Sequence, residues 1–301
     1  MERKQILATT SLLVLFVLLL TNCKPKSDSD DETLLLLAVA ASKICANSAY
    51  TGTTVVNSTA TLDTNTDCIT GMTSSMSADL PAWIRNNFKC AVGSVSGSNY
   101  VFRSQNIPNN KSYYFGSTSP RYEALGSGQK AAGTNQISSQ CLVYTIPSSP
   151  AAKSGTLTGT QSGYASVGIT VNGLAIFNNA AAAPDTLSTE AQTFDQYNGH
   201  PQNSGVYHHH SQPLNVSNNN SNLIGVLIDG FALYGRDCTN ASNVTTTPTI
   251  GSGLDSNHGH ITTTQHFSVA TYHYHYTSDP TAGIPTLIGS YFYGTPGTVS
   301  N

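Results

Sequence analysis

The side chains able to do chemistry in this chain are its histidines. All nine fall between residues 200 and 275 of a 301-residue sequence in which only 10% of residues are charged. Two segments carry them in order: Tyr207-His208-His209-His210 and Tyr272-His273-Tyr274-His275. Alternate side chains of a strand share a face, with Cα atoms about 6.6 Å apart, so His208 and His210 point the same way, as do His273 and His275. Two imidazoles so placed can grip one ion through nitrogens at about 2.0–2.1 Å. Neutral imidazole suits zinc, copper, nickel and iron, and copper or zinc is the ion expected here.

The two segments sit in matching surroundings. Asp195-Gln-Tyr-Asn-Gly199-His200 precedes the first, and Asp255-Ser-Asn-His-Gly259-His260 precedes the second. Pro213, Leu223-Ile-Gly225 and Tyr234-Gly235 follow the first; Pro280, Leu287-Ile-Gly289 and Tyr293-Gly294 follow the second. This reads as an internal repeat, each copy a strand pair with one Asp, one Gly-His and one His-x-His. The expected metal residues are therefore His200, His208, His210, His260, His273 and His275, at a site shared between the copies. Asp195 and Asp255 are expected to ligate, or to accept the second N–H of a ligand histidine and fix its tautomer. His209, His258 and His266 break the pattern and read as surface residues. Tyr207, Tyr272 and Tyr274 read as packing, and Asp229, Arg236 and Asp237 as secondary candidates near turns. The competing arrangement is a strand that packs its tyrosines inward and leaves its histidines to solvent, or to hydrogen bonds in a polar core.

Short strands must position these groups. Strand-like runs recur at Tyr100–Phe102, Lys111–Phe115, Cys141–Ile146, Ala165–Val171, Leu174–Phe177, Leu223–Ile228 and Leu287–Tyr293. Asn172-Gly173 reads as a two-residue hairpin turn, and Asp229-Gly230 is a similar signal. One helix is expected at Ala78–Phe88, with Pro81 in its first turn. No βαβ alternation is visible. The fold class is all-β, sandwich or barrel-like, with few short helices and the repeat in its histidine-rich C-terminal half.

The N-terminus reads as an export signal. Arg3 and Lys4 precede an apolar run from Ile6 to Leu20, too short for an ordinary membrane span. Leu20-Thr21-Asn22-Cys23 then resembles a lipobox, and an acidic stretch containing Asp28, Asp30 and Asp31 follows as a tether. The expected organisation is a lipoprotein signal peptide over 1–22, a lipidated tether over 23–44, a Ser/Thr-rich segment packed on the body over 45–97, and a main domain over 98–301. Cys23 would carry the lipid, making the membrane a partner and placing the chain in the bacterial cell envelope, at the outer membrane or cell surface. Five further cysteines (Cys45, Cys68, Cys90, Cys141 and Cys238) face an oxidising compartment, and their disulfide connectivity is not readable from spacing. The net charge of −3 and the lack of a basic patch argue against a nucleic-acid partner.

Several motifs in order resemble the YHYH-domain family of bacteria. They are Val167-Gly-Ile-Thr-Val-Asn-Gly-Leu-Ala-Ile-Phe177, Asp195 to His200, Gly205-Val-Tyr-His-His-His210, Asp229-Gly-Phe-Ala-Leu-Tyr-Gly235, and Gly259-His260 through Tyr272 to His275. Ser104-Gln-Asn-Ile-Pro108 resembles the motif that opens that domain, so the resemblance runs over about residues 98–294. The first copy departs by reading Tyr-His-His-His. Tyr197 stands where many relatives have a cysteine, which implies a disulfide absent here and leaves Cys238 as the odd cysteine. The resemblance carries no established activity. The reading is a His-rich metal-binding lipoprotein. The alternatives are a metalloenzyme (hydrolase or oxidoreductase), and a structural or adhesive surface protein with no metal. No GxSxG, HExxH, Walker or GxGxxG motif names a reaction or a nucleotide.

Overall fold

The chain divides into Met1–Lys43 and Ile44–Asn301. The computed structural model describes residues 68, 72, 74–163, 166–214, 221–278, 285–286 and 289–301, all in the second unit. The signal, Cys23 and the tether lie outside the described residues. Among those described, no helix is long and apolar enough to cross a membrane.

Two open sheets carry the fold. The first comprises β1 (Ser75–Met76), β2 (Val92–Ser96), β3 (Asn99–Ser104), β4 (Leu142–Pro147) and, from the C-terminus, β19 (Thr298–Ser300), hydrogen-bonded in the order β1-β2-β3-β4-β19. Alternation is plain in β4, where Leu142, Tyr144 and Ile146 are buried and their neighbours only half so. The second sheet holds β5 (Gly168–Thr170), β6 (Ala175–Ile176), β7 (His200–Pro201), β8 (Tyr207–His209), β9 (Leu223–Leu227), β10 (Ala232–Tyr234), β15 (Gly259–Thr262) and β16 (Thr271–His275). Three two-stranded ribbons complete the strands: β11 (Cys238–Thr239) with β12 (Thr245–Thr246), β13 (Thr249–Ile250) with β14 (Gly253–Leu254), and β17 (Thr277–Ser278) with β18 (Pro285–Thr286). One buried cluster draws Phe102, Tyr144 and Ile146 from the first sheet and Ile169, Ile176, Val226 and Leu233 from the second. The arrangement is sandwich-like, not a closed barrel.

The order of the eight-stranded sheet, β15-β16-β10-β9-β5-β6-β8-β7, reads alike from either edge. Each edge is an antiparallel pair (β15–β16, β7–β8) that joins an inner hairpin through a parallel contact, β16–β10 on one side and β8–β6 on the other. The inner hairpins β5–β6 and β9–β10 meet antiparallel, with Ile169 opposite Val226. Their turns are the two foreseen. Gly173 (φ +81°) and Gly230 (φ +95°) occupy left-handed backbone, and their amides bond to Thr170 O and Leu227 O at 2.9 Å.

Some sequence expectations require correction. The helix is only α1, Ala82–Arg85; Pro81 is its extended N-cap (ψ 153°) rather than a first-turn residue, since the residues before it fold as a loop. A second one-turn helix, α2 (Leu187–Glu190), was not foreseen; Thr186 caps it by accepting from the Thr189 amide at 3.2 Å. Tyr113–Phe115 is a 3₁₀ turn capped by Ser112 instead of a strand. Described residues 289–293 form no strand beyond the single bridge Gly159–Tyr291, whereas Leu223–Leu227 is a central strand; these two segments are not equivalent in the fold. Residue 97 lies in the turn between the paired strands β2 and β3, so the stretch from β1 onward is part of the first sheet. Cys68 and Cys90 are bridged, Cys141 is also disulfide-bonded, and Cys238 is a buried free thiol.

Candidate metal centres

Both edge pairs of the eight-stranded sheet are built alike, from a loop, a glycine and a tyrosine. In the first, the Asp195 carboxylate accepts the amides of Tyr197 (2.9 Å) and Gly199 (3.2 Å) and the Tyr207 hydroxyl (2.8 Å). In the second, Asp255 accepts the amides of Asn257 (2.8 Å) and Gly259 (3.0 Å) and the Tyr272 hydroxyl (2.9 Å). Backbone bonds Asp195 N to Gly199 O and Asp255 N to Gly259 O, both 2.8 Å, close the two loops. A Cβ at Gly199 would overlap the Tyr207 ring, and one at Gly259 the Tyr272 ring, so glycine is what lets each tyrosine reach its aspartate. The aspartates are thus loop clamps. They were expected to ligate or to accept a ligand histidine's N–H; neither belongs to the clusters described next, and the donors they meet here are backbone amides and a tyrosine hydroxyl.

The clamps set the register that gathers the histidines. His200 lies opposite His208 across β7–β8, and His260 lies opposite His273 across β15–β16. Directly opposed residues have Cβ atoms about 4.5–5.5 Å apart on one face. The His-x-His spacing adds His210 to the first pair and His275 to the second. A fourth group completes each cluster. Glu190, at the end of α2, joins His200, His208 and His210; Cys238, opening β11, joins His260, His273 and His275. Within each cluster the ligand atoms all lie within 4.8 Å of one another.

The expected site shared between the halves is therefore corrected. β8 and β16 lie five strand steps apart in the sheet order, about 24 Å at about 4.8 Å per step. Each edge keeps its own cluster. His200 and His260 are members of the first and second cluster respectively. Glu190 was not foreseen, and no motif marks it; Cys238 was seen only as an odd cysteine. His209 and His258, expected at the surface, are buried, and His209 bonds through Nδ1 to Asn198 O at 2.9 Å.

Hydrogen bonding fixes the tautomers. His208 Nδ1 lies 3.0 Å from Val206 O, His210 Nδ1 2.7 Å from Asn178 O, His273 Nδ1 2.9 Å from Thr271 O, and His275 Nδ1 2.7 Å from Gly235 O. A carbonyl only accepts, so each Nδ1 carries the proton and each Nε2 presents a lone pair. His200 Nδ1 donates to the Thr193 hydroxyl at 2.7 Å, and that hydroxyl donates to Glu190 O. The bare nitrogens of His208 and His210 then face each other at 3.1 Å, and His260, whose ring also bonds to the Gly253 backbone, sets its Nε2 3.1 Å from the bare Nε2 of His273. His200 Nε2, His275 Nε2 and Glu190 Oε2 are buried without a hydrogen bond. Two lone pairs at hydrogen-bond distance with no proton between them repel, and a cation between them removes the repulsion.

The spacings also fit. Tetrahedral zinc–ligand bonds put two nitrogens about 3.3 Å apart and a nitrogen and a sulfur about 3.5 Å apart. His200 Nε2 to Glu190 Oε1 is 3.4 Å, His210 Nε2 to Glu190 Oε2 is 3.7 Å, and Cys238 Sγ to His273 Nε2 is 3.6 Å. Buried His, Cys and Glu groups here could hold a metal ion.

Aromatic rings wall both sites. Phe177 stacks on His208 at 3.8 Å and Phe194 meets His200 edge-on at 4.9 Å; in the second cluster Tyr234 packs on His273 and His275 at 5.3 and 5.8 Å. Burial, the largest influence, holds the imidazoles neutral: His200 and His275 fall to about 3, His210 and His273 to about 4. A neutral imidazole is the form that ligates. Burial likewise raises the Glu190 carboxyl to about 7.

Residues 143–252 match the family model of the YHYH protein. That segment is a YHYH domain. The matched segment contains the whole first cluster and Cys238, and it ends before His260, so the three histidines of the second cluster fall beyond it. No curated protein and no solved structure matches the chain. The geometry of the two clusters is thus what speaks to function.

Proposed function

We propose that this protein holds two metal ions, copper or zinc, one in each edge cluster of the eight-stranded sheet. What carries the reading is the convergence of bare Nε2 lone pairs whose rings have already committed their Nδ1 hydrogens elsewhere. A surface protein whose histidines merely pack gains nothing from burying facing lone pairs, which cost free energy when unpaired. Burial also favours holding an ion over turning over a substrate. His208, His210, His273 and His275 are all at most 3% exposed, so a substrate would reach them only after the sheet edge opened. The N-terminal pattern of Arg3, Lys4, the apolar run and Cys23 supports export and lipid anchoring in the bacterial envelope.

The test is elemental analysis of the untagged protein together with zinc and copper titration. The expected content is two ions per chain, falling to one in His208→Ala and to one in His273→Ala. Trace metal in the purified protein, with neither ion binding more tightly than about micromolar, would refute the reading.

A further inference from the structure

We propose that the two clusters are chemically unequal, and that the one at the β15–β16 edge is a thiolate site, with Cys238 as fourth ligand to a thiophilic d-block ion. The inference rests on the metal-binding reading and adds the class of ion to it. Three independent features place the sulfur there. Cys238 is the free cysteine among the described residues, in a chain whose other described cysteines are bridged. Its Sγ is 3.6 Å from His273 Nε2, the separation that a tetrahedral ion bonded to both would impose. The segment that delivers it also orients the site: Gly235 O accepts the Nδ1 proton of His275, and Cys238 follows three residues later at the start of β11.

The corresponding place in the other cluster is taken by the Glu190 carboxyl, a hard oxygen donor. Soft thiolate selects ions such as Cu(I) and Zn(II), whereas a carboxylate beside three imidazoles has no such preference. On binding, the Cys238 thiol gives its proton to solvent and its sulfur lone pair to the ion; no electron is transferred. The same sheet edge, built twice, would thus sort two kinds of ion by a single side chain.

Cobalt(II) distinguishes the ligands by absorption, since a thiolate ligand adds a near-ultraviolet charge-transfer band that nitrogen and oxygen ligands lack. The metal-stripped intact chain, with its disulfides retained, is titrated with Co(II). The expected result is two ions per chain, with the charge-transfer band saturating after one. Cys238→Ser abolishes the band and retains the ion of the Glu190 cluster; His208→Ala keeps the band and loses that ion. As a readout that needs no variant, saturating Zn(II) slows iodoacetamide alkylation of Cys238 at least about tenfold, followed by mass spectrometry. Cobalt absorption without the band in the unaltered chain, or a band that survives Cys238→Ser, overturns the thiolate assignment and leaves the metal reading standing. Absence of any cobalt absorption, with alkylation unaffected by zinc, overturns both.

Discussion

The two tyrosine–aspartate clamps offer a comparison in which the bond is the same and the burial is not. Tyr207→Phe removes a hydroxyl that donates at 2.8 Å to Asp195, a carboxylate 4% exposed. Asp195 keeps the amides of Tyr197 and Gly199 and the side chain of Ser112, but loses one of its donors in a site water cannot fill. A hydrogen bond to a buried charged group contributes about 1.5–3 kcal/mol, so a loss of about 2–3 kcal/mol is expected at pH 7. Tyr272→Phe removes the equivalent bond, 2.9 Å, to Asp255, which is exposed and can take a water in its place. Its cost should stay below about 1 kcal/mol. For a body of this size the first change lowers Tm by about 5–10 °C and the second by no more than about 3 °C. Urea and thermal unfolding would be followed by the fluorescence of Trp83, the chain's single tryptophan, in EDTA so that bound metal does not mask the difference. Equal losses, or a larger one at Tyr272, would refute the argument that burial and not the bond itself sets the cost.

Gly199→Ala should release the metal of the Glu190 cluster alone, because its Cβ displaces Tyr207 and with it the register that sets His200 opposite His208; elemental analysis should then find one ion per chain, and two would count against it. The metal-free protein should also be acid-labile. His200, His209, His210, His273 and His275 are held at about 3 to 4 by burial, so the unfolded chain binds more protons below about 6.5 and stability falls as pH drops. At pH 5 the five cost on the order of 10 kcal/mol, while Asp195 and Asp229 (near 6) and Glu190 (near 7) return about 4 kcal/mol as they protonate. Circular dichroism in EDTA should show loss of the fold between about pH 4 and pH 6, and zinc should move that midpoint downward; an unchanged melting temperature from pH 7 to pH 4 would contradict it.

The strands were legible where two local signals agreed. Asn172-Gly173 and Asp229-Gly230, each flanked by apolar residues, announced the inner hairpins, and both turns formed as read. Tyr113–Phe115 misled because its aromatic content suits a strand equally well, and the Ser112 cap decides for a turn only once the neighbouring loops are in place. Leu287–Tyr293 misled for another reason. It resembles Leu223–Ile228 in composition, but the centre of a sheet needs partners on both sides, and β5 and β10 already flank the earlier segment.

The histidines show where one-dimensional reasoning stops. Period-two alternation correctly put His208 with His210 and His273 with His275, since that rule is local. It says nothing of which strand lies alongside. The shared site failed because the open sheet is joined through its inner hairpins, which leaves the two His-x-His strands in the pairs at its opposite edges. The third histidine of each cluster was visible in the Gly-His that precedes it, but only cross-strand register brings it from sequence neighbour into the cluster. The fourth groups were the least legible. Glu190 stands five residues before Asp195 and Cys238 stands seventeen before Asp255, so no comparison of the two copies could align them. What the copies share is the scaffold that aims three imidazoles at a point; what they do not share is the residue that closes the point. The fourth group of each cluster comes from outside the motif, from whichever connecting segment passes the open corner of the cluster.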